Sequence, residues 1–133
     1  MSRENLETVR RIYDAWGRGD FRAGTELYDR EILLVLRPEF PEAGAYHGPE
    51  EIRKYMREDF LRDLEDAAIV GEDFLDAGDS VVVRVTQRAT GPGSGVPVEM
   101  SYYQVWTFRG RFVVRIESVR TRSEALEAAG LRG

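Results

Sequence analysis

The 133-residue sequence contains no cysteine and only one histidine, His47. Without cysteine the chain can form no disulfide, supply no thiolate nucleophile and build no cysteine-based metal site. One histidine and scattered acidic residues also lack the spacing of metal ligands, and no GxGxxG motif opens a helix to bind a dinucleotide. We therefore expect no metal and no cofactor.

Basic charge and long apolar runs are also scarce. The 19 lysines and arginines are outnumbered by 24 acidic residues, which gives a net charge of −5, whereas nucleic-acid binding needs a basic face. No apolar run approaches the roughly 20 residues of a membrane span, and the charged N-terminus lacks the apolar core of a signal peptide. We expect a cytoplasmic protein that binds neither nucleic acid nor membrane.

The composition that remains is typical of one globular domain, residues 1–133. Hydrophobic residues make up 42% of the chain and charged residues 32%. A chain of this length suits a single compact domain with a substantial buried core.

Three helices and one strand are predicted in the N-terminal half. Apolar residues at helical spacing predict a helix over Asn5–Trp16. A second, short helix is expected over residues 20–29, with an aspartate to cap it. The continuous apolar run Ile32–Leu36 predicts a buried strand, and residues 39–48 are interpreted as a loop. A third helix is expected to begin at Pro49, a residue suited to the first helical position.

In the C-terminal half the apolar period changes to two, which predicts strands. Four are expected, over Ala67–Leu75, Ser80–Thr90, Val96–Phe108 and Phe112–Thr121. Ser123 is expected to cap a short final helix. The order of elements indicates an α+β fold, with helices packed against one face of a curved sheet.

The central strands are apolar on both faces. Val81, Val83 and Val85 share one parity, while Tyr103 and Val105 lie on the parity that faces away from the core. One layer of helices cannot cover both faces, so we expect a homodimer through the outer face of the sheet. The alternative is that the final helix and the loops cover that face.

Five segments together resemble the SnoaL-like group of the nuclear transport factor 2-like superfamily, over nearly all of the chain: YDAWGRGDFRAGTELYD, FPEAGAYHGPEEIRKYM, DAGDSVVVRVTQRATGPGSG, VEMSYYQVWTFRGRFVVRI and EALEAAGL. The resemblance implies a cone-shaped barrel, with three N-terminal helices packed on a strongly curved, mostly antiparallel sheet around a deep pocket. It also implies a dimer. Known members include polyketide cyclases, ketosteroid isomerases, epoxide hydrolases and non-catalytic binding proteins, so the resemblance does not fix the function.

Gln104 interrupts an apolar row. The other residues on its face of the predicted strand are Met100, Tyr102, Trp106 and Phe108. A glutamine in a packed core needs several hydrogen bonds, whereas one at the base of the implied pocket can meet water or a ligand. We expect it to line that pocket with Tyr102 and Trp106. The alternative is a structural glutamine bonded to backbone or to Tyr13.

The catalytic residues of ketosteroid isomerases have no counterpart here. The position of their base corresponds to Leu36, that of their tyrosine to Ile12 and that of their second acid to Gln104. Tyr13 is one residue away from the tyrosine position, which is about 100° around a helix. Because proton abstraction needs a base within hydrogen-bond reach, steroid isomerase activity is not expected.

Other members of the superfamily suggest three polar candidates. Arg84 would take the arginine role of the epoxide hydrolases, and the last strand would offer Ser118, or Glu117 if the register is shifted by one residue. His47 would lie near the pocket mouth, where an imidazole could transfer protons, or it is an exposed loop histidine. Glu117 and Arg115 share one face of the last strand, as a buried pocket pair or as an exposed pair.

Together these features predict a small-molecule pocket protein, with an apolar, oxygenated and cyclic substrate handled by proton transfer or hydration. Tyr13, Trp16, Tyr102 and Trp106 would shape the pocket, and Gln104 would orient an oxygen. His47, Arg84 and Glu117 would supply the polar chemistry. The alternative is a ligand-binding or structural dimer of the same fold without chemistry.

Overall fold

A computed structural model describes residues 2–37, 44–60, 65–90 and 95–131. Their helical elements, in chain order, are α1 (Ser2–Gly17), a 3₁₀ turn (Thr25–Leu27), α2 (Gly48–Lys54) continued by a π-helical segment (Tyr55–Phe60), and α3 (Arg122–Ala128). The strands are β1 (Tyr28–Leu36), β2 (Gly44–His47), β3 (Glu65–Ala77), β4 (Ser80–Thr90), β5 (Pro97–Arg109) and β6 (Phe112–Val119).

The strands form one sheet in the order β2-β1-β6-β5-β4-β3. Only the β1–β6 pairing is parallel, and the other neighbours run antiparallel. This confirms the α+β class and the mostly antiparallel sheet. In the described residues the sheet is open, with β2 and β3 at its edges, so the cone shape stays a prediction.

The predicted first helix is confirmed, because its apolar stripe is the face that packs on the sheet. Val9, Ile12, Tyr13 and Trp16 are all at most 5% exposed, and the helix contacts β3 and β4. We call this the inner face of the sheet. Among the described residues, no helix is long and apolar enough to cross a membrane.

The predicted second helix is wrong. Residues 20–29 form turns and one 3₁₀ turn, and β1 already begins at Tyr28. Gly24 explains the break, because its φ of 88° lies in the left-handed region and a Cβ there would lie 2.6 Å from Ile12 Cδ1. The chain therefore turns tightly against α1 instead of continuing as a helix.

The remaining boundaries follow the predictions with three changes. Within the predicted loop 39–48, residues 44–47 form the edge strand β2, while residues 38–43 lie outside the described residues. Strand β3 is longer than predicted and carries a register shift near Asp73, whose φ is 52°. Helix α3 is capped by Thr121 in a capping box, not by Ser123.

Helix α3 covers part of the opposite, outer face of the sheet. Its Ala125 packs with Val82, Val105 and Val119, and all four are at most 3% exposed. The final helix thus provides the alternative cover considered for this face. The homodimer stays a prediction.

Candidate functional site

Gln104 lies within a chain of buried hydrogen bonds on the inner face. Trp106 Nε1 donates to Tyr13 Oη at 2.9 Å, Tyr13 Oη donates to Gln104 Oε1, and Gln104 Nε2 donates to Ser118 Oγ at 3.0 Å. These four side chains, which we call the polar chain, are each at most 7% exposed. The bond to Tyr13 matches the structural alternative for Gln104. Tyr13 bonds Gln104 although it lies one residue after Ile12, the position that corresponds to the tyrosine of ketosteroid isomerases.

Strand register places these side chains together. Gln104 of β5 lies opposite Val83 of β4 and Ser118 of β6, and Ser118 lies opposite Leu36 of β1. Residues directly opposite each other in neighbouring strands point to the same face. Ser118, and not Glu117, is therefore the inward residue of the last strand.

Aromatic rings surround the phenol of Tyr13. Its ring centroid lies 5.1 Å from that of Trp16, 5.8 Å from that of Phe74 and 5.9 Å from that of Trp106, all in edge-to-face contact. Such pairs are favourable because the positive edge of one ring meets the negative face of the other. The polar chain is thus enclosed by an apolar, aromatic wall.

Gly71 makes this arrangement possible, and the sequence predictions did not include it. A Cβ at this position would lie 2.8 Å from Phe74 Cζ, 2.9 Å from Tyr13 Cγ and 3.0 Å from Val83 Cγ2. The absence of a side chain lets the Tyr13 ring lie directly on β3. A glycine inside a strand pattern was the available signal, because it often marks a close approach.

Burial controls the ionisation of Tyr13. It raises the pKa of the phenol well above its usual value, and the hydrogen bond from Trp106 opposes the shift only in part. The phenol is therefore neutral at physiological pH. It can donate or accept a hydrogen bond, but it cannot act as an anionic base there.

A second tyrosine–glutamine pair lies on the same face. Tyr102 Oη donates to Gln87 Oε1 at 2.9 Å, and burial raises the pKa of Tyr102. Tyr102 lies two residues before Gln104 on β5, so both side chains point inward. Gln87 was not among the predicted site residues.

His47 lies away from the polar chain. Its side chain is 57% exposed, and Nε2 lies 3.6 Å from Glu31 Oε2. Tyr46, the residue before it, packs against the inner-face core, and its ring centroid lies 4.6 Å from that of Tyr55. His47 therefore has the opposite parity and is an exposed histidine at the start of α2.

Arg84 lies on the outer face, opposite Tyr103. Its guanidinium is 3.5 Å from a Glu72 carboxylate oxygen and 3.4 Å from an Asp73 carboxylate oxygen. The sheet therefore separates Arg84 from Gln104, and the structure does not bring it together with Tyr13, Tyr102 and Trp106. The reason is parity, because Arg84 alternates with the inward-facing valines of β4.

Glu117 is also on the outer face, opposite Val105. Its side chain is only 9% exposed, and its carboxylate oxygens lie 2.7 Å from Arg37 Nε and 3.3 Å from Arg115 Nη2. It lies on the face away from Gln104, and its burial excludes the exposed pair. It is a buried carboxylate held by two arginines beside α3.

The polar chain therefore lacks a charged partner within the described part of the protein. No Asp, Glu, His, Lys or Arg side chain there donates to or accepts from its four members. A surface cavity of about 540 Å³ is a separate feature, lined in part by Arg18, Phe21 and Asp66. It lies outside the predicted site.

Residues 9–116 match the sequence model of the SnoaL-like domain family. The chain is also similar to a solved NTF2-like protein of unknown function from Burkholderia pseudomallei, with 21% identity, coverage of 92% of this chain and 95% of that one, and a TM-score of 0.74.

Two further solved structures carry functional names. One, from Jannaschia sp., is described as a candidate SnoaL-like polyketide cyclase (21% identity, 96% and 91% coverage, TM-score 0.72). The other is AclR from Streptomyces galilaeus, described as a candidate hydroxylase (19% identity, 98% coverage of both chains, TM-score 0.74). At these identities the likeness shows the fold alone. No curated protein matches the chain.

Proposed function

Because the chain belongs to the SnoaL-like domain family of the nuclear transport factor 2-like superfamily, we propose that it binds a small apolar molecule carrying an oxygen atom. The ligand lies between the N-terminal helices and the inner face of the sheet. Tyr13 and Gln104 hold its oxygen. Binding without chemistry is the function that the described side chains support best.

The polar chain is the observation that carries this proposal. Donors and acceptors from α1, β5 and β6 meet at one point inside an aromatic wall. Buried polar groups are unfavourable unless they are hydrogen-bonded, so an apolar packing would serve stability equally well. A ligand carbonyl or hydroxyl group can replace the Gln104 amide as the partner of the Tyr13 phenol.

The surroundings define the chemical class of the ligand. Trp16 and Trp106 provide broad aromatic surfaces beside the phenol of Tyr13, and these favour a flat or cyclic apolar body. Recognition then depends on one oxygen atom, which accepts from Tyr13 or donates to Gln104.

An enzyme is the second candidate, and the neutral phenol of Tyr13 favours it. A preorganised donor in a buried site can stabilise negative charge that develops on a carbonyl oxygen. Proton transfer also needs a base within reach of the substrate. His47, Arg84 and Glu117 stay predictions in that role, and their positions at the surface or on the outer face do not support it.

Two further features belong to the proposal. The sheet curves into a cone around the ligand, as the family resemblance implies. A second copy of the chain contacts the outer face beside α3, where Tyr103 is partly exposed.

Native mass spectrometry of the gently purified protein tests binding and association together. We expect a dimer that carries a small apolar adduct. Tyr13→Phe should lose the adduct because it removes the phenolic donor. Tyr103→Phe is the matched control, since it removes the same hydroxyl from the outer face and should retain the adduct.

Retention of the adduct by Tyr13→Phe would refute the assigned site. A wild-type protein that carries no adduct and takes up no added oxygenated ring compound would refute ligand binding. A monomer would refute the dimer alone. If fresh protein converts the released adduct to another compound, of the same or a different mass, as followed by chromatography and NMR, the enzyme candidate replaces the binding protein.

A further inference from the structure

The inner face of the sheet changes from closed to open along β5. Trp106 is fully buried, Gln104 and Tyr102 are 7% and 6% exposed, Met100 is partly exposed and Val98 is 49% exposed. These residues alternate along one strand, so they form a single row on one face. The row therefore reaches solvent at its Val98 end.

The same row of the neighbouring strand is exposed only at Gln87. Val81, Val83 and Val85 of β4 are fully buried, Gln87 is partly exposed, and Ala89, which follows it, is buried again at 8%. Gln87 lies opposite Met100. The open end of the row is thus lined by polar and apolar groups together.

The pair formed by Tyr102 and Gln87 lies between this open end and the polar chain. Its hydrogen bond is 2.9 Å long. Tyr102 and Gln104 are two residues apart on β5, which separates their Cα atoms by about 7 Å along the strand. An amide has both donors and an acceptor, so the pair can bind a hydroxyl or a carbonyl.

We propose that Tyr102 and Gln87 form a second binding point and that the ligand carries an oxygen at each end of an elongated apolar body. One oxygen binds Tyr13 and Gln104 at the closed end. The other binds Tyr102 and Gln87 at the open end. This inference rests on the proposed function and makes Gln87 a specificity-determining residue.

Two naphthols test the second binding point by isothermal titration calorimetry at neutral pH. The compound 2-naphthol has one hydroxyl, whereas 2,6-dihydroxynaphthalene has hydroxyls at opposite ends of the same rigid ring system. We expect wild-type protein to bind the diol about three- to tenfold more tightly, the gain typical of one added hydrogen bond.

Variants assign the gain to the pair. Tyr102→Phe should bind both naphthols with equal affinity, because it removes the protein hydroxyl that would bind the second oxygen of the diol. Gln87→Met removes the same hydrogen bond from β4 and serves if Tyr102→Phe fails to fold. Tyr103→Phe, one residue along β5 on the outer face, should keep the full preference for the diol.

The outcomes separate this inference from the proposed function. Equal binding of both naphthols to wild-type protein, or a preference that survives in both Tyr102→Phe and Gln87→Met, overturns the second binding point alone. Wild-type protein that binds neither naphthol overturns this inference, and it overturns the proposed function as well if the protein also carries no adduct in native mass spectrometry and takes up no other oxygenated ring compound.

Discussion

At the scale of single residues, the polar chain is stable only as a complete set. Each of Trp106, Tyr13, Gln104 and Ser118 is the partner of another member. Loss of one partner leaves a buried group without its bond, which costs roughly 1–3 kcal/mol. The position of the Tyr13 ring is therefore critical, and Gly71 determines it.

Gly71→Ala should displace the Tyr13 ring. The new Cβ would lie less than 3 Å from atoms of Phe74 and Tyr13, and overpacking of this kind lowers the free energy of unfolding by about 1–3 kcal/mol. Urea unfolding measures that loss. The indole N–H resonance of Trp106 should also move toward its position in Tyr13→Phe, because the bond to the phenol breaks.

The control for this change is Gly17→Ala. A Cβ at Gly17 meets its nearest neighbour, Ile69 O, only at 3.9 Å, so the Trp106 resonance should stay in place. If Gly71→Ala lowers stability but leaves that resonance unmoved, Gly71 contributes to packing without positioning Tyr13.

At the scale of elements, α3 is a short helix whose N-terminus is well defined. Thr121 Oγ1 accepts from Glu124 N at 3.1 Å, and Glu124 Oε1 accepts from Thr121 N at 3.1 Å. Backbone N–H groups at a helix start have no partner within the helix, so this capping box satisfies two of them. The helix in turn covers Val105 and its neighbours on the outer face.

Thr121→Ala should lower the free energy of unfolding by about 1 kcal/mol, the usual effect of losing an N-cap. Ser123→Ala is the matched control in the first turn of the same helix, and it should change stability by less than about 0.5 kcal/mol. Urea unfolding of both variants decides the point. A larger effect from Ser123 would restore it as the cap.

Sequence patterns predicted elements where the local signal agreed with the tertiary structure. The β-branched run of β4 was predicted over Ser80–Thr90, as observed, because alternation and propensity coincide there. The helix predicted over residues 20–29 failed because a tight approach to α1 at Gly24 decides that segment. Such an approach involves a distant residue, so a local pattern does not contain it.

The candidate site was predicted only in part. Gln104 was recognisable as a polar residue in an apolar row, and its row faces inward as expected. The parity of β4 was also sufficient to place Arg84 outside, because it alternates with buried valines. The face of the sheet on which Glu117 lies was harder to predict, because β5 and β6 shift register between Thr107 and Phe108.

At the scale of the whole molecule, tyrosine phenols with raised pKa values make the free energy of unfolding depend on pH in the alkaline range. Burial raises the pKa of Tyr13, Tyr28 and Tyr102. The chain has one lysine, Lys54, and arginine keeps its proton in this range. Tyrosine ionisation therefore dominates the pH dependence of stability above pH 10 or so.

Tyr13→Phe should become relatively more stable as the pH rises. In the wild type the native state keeps the Tyr13 proton, while the unfolded chain releases it above pH about 10, so unfolding is favoured as pH increases. The stability advantage of the wild type over Tyr13→Phe should shrink by about 1.4 kcal/mol per pH unit in that range. Urea unfolding of both proteins at about pH 8, 10 and 11, which span the ionisation of an unfolded-state tyrosine, measures this change in stability. Parallel pH profiles for the two proteins would show that the Tyr13 phenol reaches solvent in the native state, which is incompatible with a buried polar chain.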